Sequence, residues 1–314
     1  MILEDNEIGF DIEVLKPQVH ENMAAIPLKS KISYKLDILT LKKGLELGLV
    51  EVKECEKSTV NTIMVTNNAI TPLILIDGEE ILGAKQNRIV NNTLLIAPKT
   101  TQAISVSCTE HGRWKHKSEF RQSEYIANFK TRRVKEYAAR GQGNAQNAIW
   151  NSISCLEEEN SFKSPTSAMS ESYENLKVDH NKFLKAFEIV DGQCGVLIIQ
   201  NGDIKGFEIF YNSQIYKEYH EKVLRSYLID NKIKNTTFSI NVDEIESFMD
   251  DANYLAFDRK DSEGMEVKFE FENDEGLGSL YTYDDEILHF SYFNKEDDAA
   301  QDDINEQMPV GYAL

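Results

Sequence analysis

Between Val50 and Cys108 the chain is written in short runs of period two separated by turn chemistry, and this constrains its fold more than any other feature. Val50-Glu-Val-Lys-Glu-Cys55 alternates apolar and polar residues, Thr62-Ile-Met-Val-Thr66 is β-rich, and Asn67-Asn-Ala-Ile-Thr-Pro72 reads as a turn. Leu73-Ile-Leu-Ile76 then runs into Asp77-Gly78, and Ile89 to Ile96 and Ala103 to Cys108 supply two more strands, divided by Pro98-Lys-Thr-Thr101. Strands that follow one another with no helix between them pair antiparallel, so a sandwich or sandwich-like barrel is expected. Ahead of them, Thr40 can cap a short helix from Leu41 to Leu47, with Gly48 at the left-handed position that ends it.

After Trp114 the period changes to about 3.6. Ser123 to Ala139, Asn144 to Glu159 and Thr166 to Glu188 read as helices, with breaks at Gly141 and Gly143 and at Lys163-Ser-Pro165. Asn201-Gly202 is a hairpin signal between Gly195-Val-Leu-Ile-Ile-Gln200 and Ile204-Lys-Gly-Phe-Glu-Ile-Phe210. Helices from Ser213 to Asp230 and Val242 to Ala256 follow, and Val267 to Phe271, Gly278 to Tyr283 and Ile287 to Phe293 close the ordered part as a meander turning at Asp284-Asp285. The predicted fold class is α+β. An N-terminal antiparallel β-sandwich-like domain occupies 1–120, and a helical and mixed α+β domain with a C-terminal β-meander occupies 121–295. Residues 296–314 form an acidic tail expected to be disordered, and its end, Met308 to Leu314, either docks or hangs free.

The net charge of −19 is unevenly spread. Residues 241–307 hold 22 Asp and Glu against 4 Lys and Arg, a local net of −18, while residues 113–140 hold 9 Lys and Arg against 3 Glu, a local net of +6. The basic band either holds phosphates or is the wet side of a helix, the usual fate of Lys and Arg. Arg132-Arg133, with Lys130 and Lys135, forms a basic face that could approach the acidic tail. The overall acidity argues against nucleic-acid binding. No basic leader precedes an apolar run and none approaches the roughly 18 residues of a membrane helix, so neither secretion nor a membrane partner is expected. Four scattered cysteines without a CxxC pair fit a reducing cytoplasm, and six histidines without HExxH predict no tightly held transition metal.

Two motifs concentrate the chemistry: Gly78-Glu-Glu-Ile-Leu-Gly-Ala-Lys-Gln-Asn-Arg88 and Val106-Ser-Cys-Thr-Glu-His-Gly-Arg-Trp114. In both the chain resembles a bacterial family, the ADP-ribosylglycohydrolase- and rhodanese-phosphatase-associated protein domain. Ser164-Pro-Thr166, Asp203-Ile-Lys-Gly-Phe-Glu-Ile-Phe210 and Leu224-Arg-Ser-Tyr-Leu-Ile-Asp230 look like later blocks of the same domain, so the resemblance covers roughly 35–295. It implies no established reaction, and the family's name points to ADP-ribose or related nucleotides by association only. In one place the chain departs from the expected pattern. Gln146-Asn147-Ala-Ile-Trp150 stands where an acidic patch is expected, which puts any chemistry of that patch in doubt here.

Physically, Lys85 or Arg88 can hold a phosphate, Arg through a planar fork and Lys as a point charge. Glu79 and Glu80 are the candidate catalytic groups, as a general base or as oxygen ligands of a hard cation such as Mg²⁺. Gln86 and Asn87 suit base or ribose recognition, and Glu110 and Arg113 either contact the ligand or pair with each other. Strand parity sets Glu79, Lys85 and Asn87 on one face and Glu80, Gln86 and Arg88 on the other, unless Gly83 introduces a bulge. Cys108, in phase with Ile104 and Val106, reads as a buried inert thiol, Trp114 as a packing anchor, and His111 as a solvated loop residue. Gly141-Gln-Gly-Asn144 reads as an interhelical linker. The expected function is binding, with processing as a further step, of a phosphorylated nucleotide-like small molecule. The alternative is a noncatalytic adaptor that binds a protein through its acidic C-terminal region and whose polar motif is a salt-bridge network.

Overall fold

The alternating runs become strands of three sheets. A computed structural model describes residues 8–9, 11–32, 35–55, 61–113, 115–142, 144–231, 238–254 and 256–295. In chain order the elements are β1 (Ile12–Val14), β2 (Gln18–His20), β3 (Met23–Ser30), β4 (Leu39–Thr40), α1 (Leu41–Glu46), β5 (Val50–Glu54), β6 (Thr62–Asn67), β7 (Leu73–Leu75), β8 (Glu79–Leu82) and β9 (Arg88–Val90). Next come β10 (Leu94–Ile96), β11 (Thr100–Cys108), β12 (Arg121–Ile126), α2 (Phe129–Tyr137), a π-helical turn at Ala138–Gln142, α3 (Ala145–Glu159) and α4 (Met169–Leu184). The remainder is β13 (Gln193–Gln200), β14 (Asp203–Phe210), α5 (Ser213–Leu228), α6 (Val242–Asn253), β15 (Phe257–Lys260), β16 (Val267–Glu272), β17 (Gly276–Tyr283) and β18 (Glu286–Asn294). The class is mixed α+β, with strands toward the N-terminus and a C-terminal meander.

The six-stranded sheet runs β12-β8-β9-β11-β6-β5, the three-stranded one β10-β7-β4, and the nine-stranded one β1-β3-β13-β14-β18-β17-β16-β15 with β2 beside β3. The small sheet lies between two cores. Leu73, Leu75, Leu94 and Ile96 pack with Val52, Val65, Ile104 and Val106, forming the sandwich-like part. Ile74, Ile76 and Leu95 project the other way, onto Val196, Ile198 and the α5 side chains Tyr219, Val223 and Tyr227. Burial on both faces is why these runs read as continuous apolar stretches, each fully buried Leu or Ile contributing about 1.5–3 kcal/mol. The far face of the large sheet packs Leu197, Phe207 and Phe290 against Ile245, Phe248 and Ala252 of α6.

Hydrogen bonds cross residue 120 in both directions: β3 pairs with β13, and β12 pairs with β8. Both hairpin signals hold, with positive φ at Asn201 (54°), Gly202 (97°), Asp284 (49°) and Asp285 (59°), as such two-residue turns require. Thr40 caps α1 by accepting from the Lys43 N–H. Two readings are corrected. Ile89 to Ile96 is not one strand, because Asn91-Asn92-Thr93 turns the chain from one sheet to another. The helix read from Ser123 begins only at the Asn128 cap. The residues before it form β12, because Tyr125 and Ile126 are claimed by cores on opposite sides, which a strand satisfies and a single helix face does not.

Helix α2 is the larger surprise. Its Arg132, Arg133, Lys135 and Glu136 are buried, so the predicted wet basic face is instead an ionic layer inside the protein. Arg132 meets Glu208 of β14 through two bonds of 2.6 and 2.8 Å, and Lys135 bonds both Asp77 and the Asn91 carbonyl. Glu208 also accepts from the Tyr227 hydroxyl at 3.3 Å. Burial pushes the Glu208 carboxyl up, but the guanidinium outweighs it and holds the group at about 2. No described helix is long and apolar enough to cross a membrane. Trp114, Gly143 and residues 296–314 lie outside the described residues, and with them the roles read for the tryptophan, the glycine linker and the acidic tail.

Candidate functional site

The first motif is a β-hairpin. Strands β8 and β9 pair antiparallel, Glu80 opposite Ile89 and Ile81 opposite Arg88, and residues 83–87 form the turn. Gly83 takes φ 127°, and a Cβ there would sit 2.5 Å from the Glu119 carbonyl oxygen, so only glycine fits. The turn ends the strand alternation, so the parity expected for Lys85 to Arg88 does not apply. Adjacent Glu79 and Glu80 still point to opposite faces.

Glu79 is wholly buried and faces α5. It accepts from Gln122 Nε2 at 2.5 Å, from the Tyr219 hydroxyl at 2.9 Å and from the Ile76 N–H at 3.3 Å, and Lys222 Nζ lies 3.5 Å away. Burial lowers the Lys222 pKa, an effect the Glu79 charge opposes. Glu80 faces the other way and accepts from Ser123 Oγ at 2.8 Å and Thr109 Oγ1 at 3.1 Å. Here burial dominates the two hydrogen bonds and raises the carboxyl to about 7.

The expected ligand-binding residues fall into three settings. Lys85 is exposed, with its Nζ 3.5 Å from Glu54. Arg88 is buried beside Gln86 Oε1 and the Asn87 carbonyl, each 3.2 Å away, and among the described residues no carboxylate reaches it. Burial lowers its pKa accordingly. Gln86 donates to the Glu110 carbonyl at 2.9 Å and accepts from the Cys108 thiol at 3.1 Å. That thiol is buried, which raises its pKa against the pull of the Arg88 charge.

Glu110 and Arg113 pair with each other. Arg113 Nε and Nη2 reach the two Glu110 oxygens at 2.8 and 2.6 Å. The rest of the guanidinium binds the Ala84 carbonyl at 2.6 Å, the Gly83 carbonyl at 3.3 Å and Asn87 Oδ1 at 3.2 Å. Thr166 Oγ1 adds a bond to Glu110 at 2.9 Å, tying in the Ser164-Pro-Thr block. Arg113 therefore clamps the hairpin turn. Although burial opposes it, this pairing lowers the Glu110 pKa. Gln146, in the place where acidity was expected, bonds both backbone groups of Cys108, at 2.8 and 2.9 Å. The His111 ring packs edge-on against Trp150, with centroids 4.5 Å apart.

Beside this clamp opens a cleft of about 430 Å³. Leu82, Gly83, Asn87 and Glu110 form the motif's wall, the β12 side brings Lys117, Arg121, Ser123 and Tyr125, and α4 brings Ser170, Glu174 and Lys177. Lys177 is engaged by Glu124 at 2.8 Å and Glu174 at 3.3 Å. Lys117 and Arg121 are exposed, and among the described residues no partner meets either side chain. Neither was singled out from the sequence; both sit in the basic band at 113–140, the one signal that pointed to them. Of the residues that were, only Asn87 and Glu110 line the cleft, with Glu80 directly behind Ser123. Among the described residues no three His, Cys, Asp or Glu side chains come together in a way that could hold a metal ion.

No curated protein and no solved structure matches the chain. The model of one family, described as the ARG and Rhodanese-Phosphatase-superfamily-associated Protein domain, matches residues 11–293. That match takes in the hairpin, the Arg113 clamp, both walls of the cleft and nearly all of the meander, and the chain belongs to this family.

Proposed function

We propose that the chain binds a phosphorylated, nucleotide-like small molecule in the cleft between the hairpin, β12 and α4. The observation that carries this reading is the pair Lys117 and Arg121, exposed cations on the wall of a cleft whose carboxylates Glu110, Glu124, Glu171 and Glu174 already have partners. The first turn of α4 lines the cleft through Ser170 and Glu171, and the Glu171 carboxylate accepts from Ser164 Oγ at 2.6 Å. Ser170 Oγ accepts from Asn87 Nδ2 at 3.4 Å and keeps its own proton to donate to a sugar or base. The family's description associates it with ARG proteins, which supports ADP-ribose or a relative as the ligand class. The free cysteines Cys55, Cys108, Cys155 and Cys194 support a cytoplasmic setting.

Thermal shift against ADP-ribose, NAD, cyclic nucleotides and sugar phosphates, with and without Mg²⁺, tests the reading. A ligand at about 100 times its dissociation constant adds roughly 2.7 kcal/mol to stability. The double variant Lys117→Ala/Arg121→Ala should stay folded and lose most of the shift. If every hit binds that variant as it binds wild type, the cleft is not the site. The adaptor reading is favoured by the saturation of the motif itself, where Glu79, Glu110 and Arg113 are all engaged internally. A panel without a single hit, together with capture of a protein through the acidic region, would decide for it.

A further inference from the structure

Glu80 touches the cleft through another side chain. Ser123 lines the cleft and donates to the carboxylate behind it. It reaches that position because β12 bulges: the four steps from Gln122 to Ile126 span only two on β8, from Ile81 to Glu79. Around Glu80 stand Glu110 from the segment after β11, Lys222 from α5, Tyr173 from α4 and Glu79 from its own strand. Among the described residues none of the cations forms an ion pair with it.

A serine hydroxyl has a single proton. While Glu80 is ionised that proton is committed to the carboxylate, and Ser123 Oγ also accepts from the Tyr125 N–H at 3.2 Å. Toward the cleft the hydroxyl then shows only a lone pair, which repels an anion. When Glu80 is protonated its own O–H can donate to Ser123 Oγ, and the serine proton turns toward the cleft as a donor. We propose that an anion entering the cleft is bound together with one proton from solvent, carried on Glu80 and presented through the Ser123 hydroxyl. This rests on the cleft being the ligand site. The site therefore selects anions that keep their charge over ligands needing an acceptor at this position. Because burial holds the carboxyl at about 7, the coupling acts near neutrality.

The test is calorimetric titration with ADP-ribose and with sulfate, whose charges do not change near neutral pH, in buffers of different ionisation enthalpy. Wild type should take up about 0.1 proton per anion bound at about pH 6, rising to about 0.9 at about pH 8, and bind roughly tenfold more weakly at the higher pH. Glu80→Gln keeps the shape and a donor toward Ser123, so it should bind at both pH values as wild type does at the acid one, with no proton uptake. If Glu80→Gln fails to fold, Ser123→Ala serves instead and should also abolish proton uptake. Binding by wild type without proton uptake, or an unchanged pH slope in the variant, overturns the proton coupling and leaves the cleft as the site. No binding of either anion at either pH overturns both.

Discussion

Replacing Arg132 by Met removes the guanidinium that meets Glu208 at 2.6 and 2.8 Å, where both side chains are 0% exposed. Breaking a buried pair by deleting one partner costs about 3–5 kcal/mol, because the remaining charge is left in a medium that solvates it poorly. The direction agrees with the electrostatics: burial pushes the Glu208 carboxyl up, but Arg132, helped by His289 at 3.6 Å from the same carboxylate, outweighs it and holds the group at about 2 against an ordinary value of 4.5. The sign follows from the depressed value: this stability is fully present above the ordinary value and is lost as pH falls through about 2. Without Arg132 only His289 and the Tyr227 hydroxyl, among the described residues, oppose burial, so the carboxyl's pKa rises and the contribution is lost. Urea unfolding should therefore show a deficit that grows from mild acid toward neutral pH and reaches about 3–5 kcal/mol. The double variant Arg132→Met/Glu208→Leu should recover most of it, since two apolar groups leave no charge unpaired. A single-variant loss below about 1 kcal/mol, or a double variant no more stable than the single, would refute the account.

Two further outcomes follow from the clamp and the ionic layer. Gly78 has φ 78°, and a Cβ there would lie 2.6 Å from Cδ of Arg132, which its pair with Glu208 prevents from moving aside. Gly78→Ala should cost about 2–4 kcal/mol in urea unfolding, and a loss under about 1 kcal/mol would show that the ionic layer yields. Arg113→Lys keeps the charge but not the fork that spans Glu110, Ala84 and Asn87, so it should cost about 1–3 kcal/mol and speed hydrogen exchange in residues 83–87. Exchange unchanged from wild type in that turn would mean the guanidinium does not hold it.

How far the fold was legible depended on whether a segment answers to its own neighbours. The Thr40 cap, the Asn201-Gly202 and Asp284-Asp285 turns and the α3, α4, α5 and α6 helices are short-range choices, and each was readable. Arg121–Ile126 was not, since its strand state comes from pairing with β8, some 40 residues earlier, and from cores on both of its sides. The chemistry divides in the same way. That Glu79, Glu80, Gln86, Asn87, Arg88, Glu110 and Arg113 belong together was visible in their density along two motifs. Which of them are spent on one another was not, because a turn at 83–87 breaks the alternation and because Arg113 lies 25 residues beyond Arg88.

By itself the sequence determined the class of fold, the hairpin turns, the Thr40 cap and the clustering of the two polar motifs, all of which depend on periodicity and on residues a few positions apart. Only the tertiary structure decided where charge goes. Arg132 and Lys135 look like solvent-facing cations until Glu208 and Asp77 arrive from distant strands to meet them, whereas Lys117 and Arg121, in the same basic band, meet no described partner and stay at the cleft. An ionic side chain's free energy is set by the dielectric and the partners around it, and the chain order of residues carries neither.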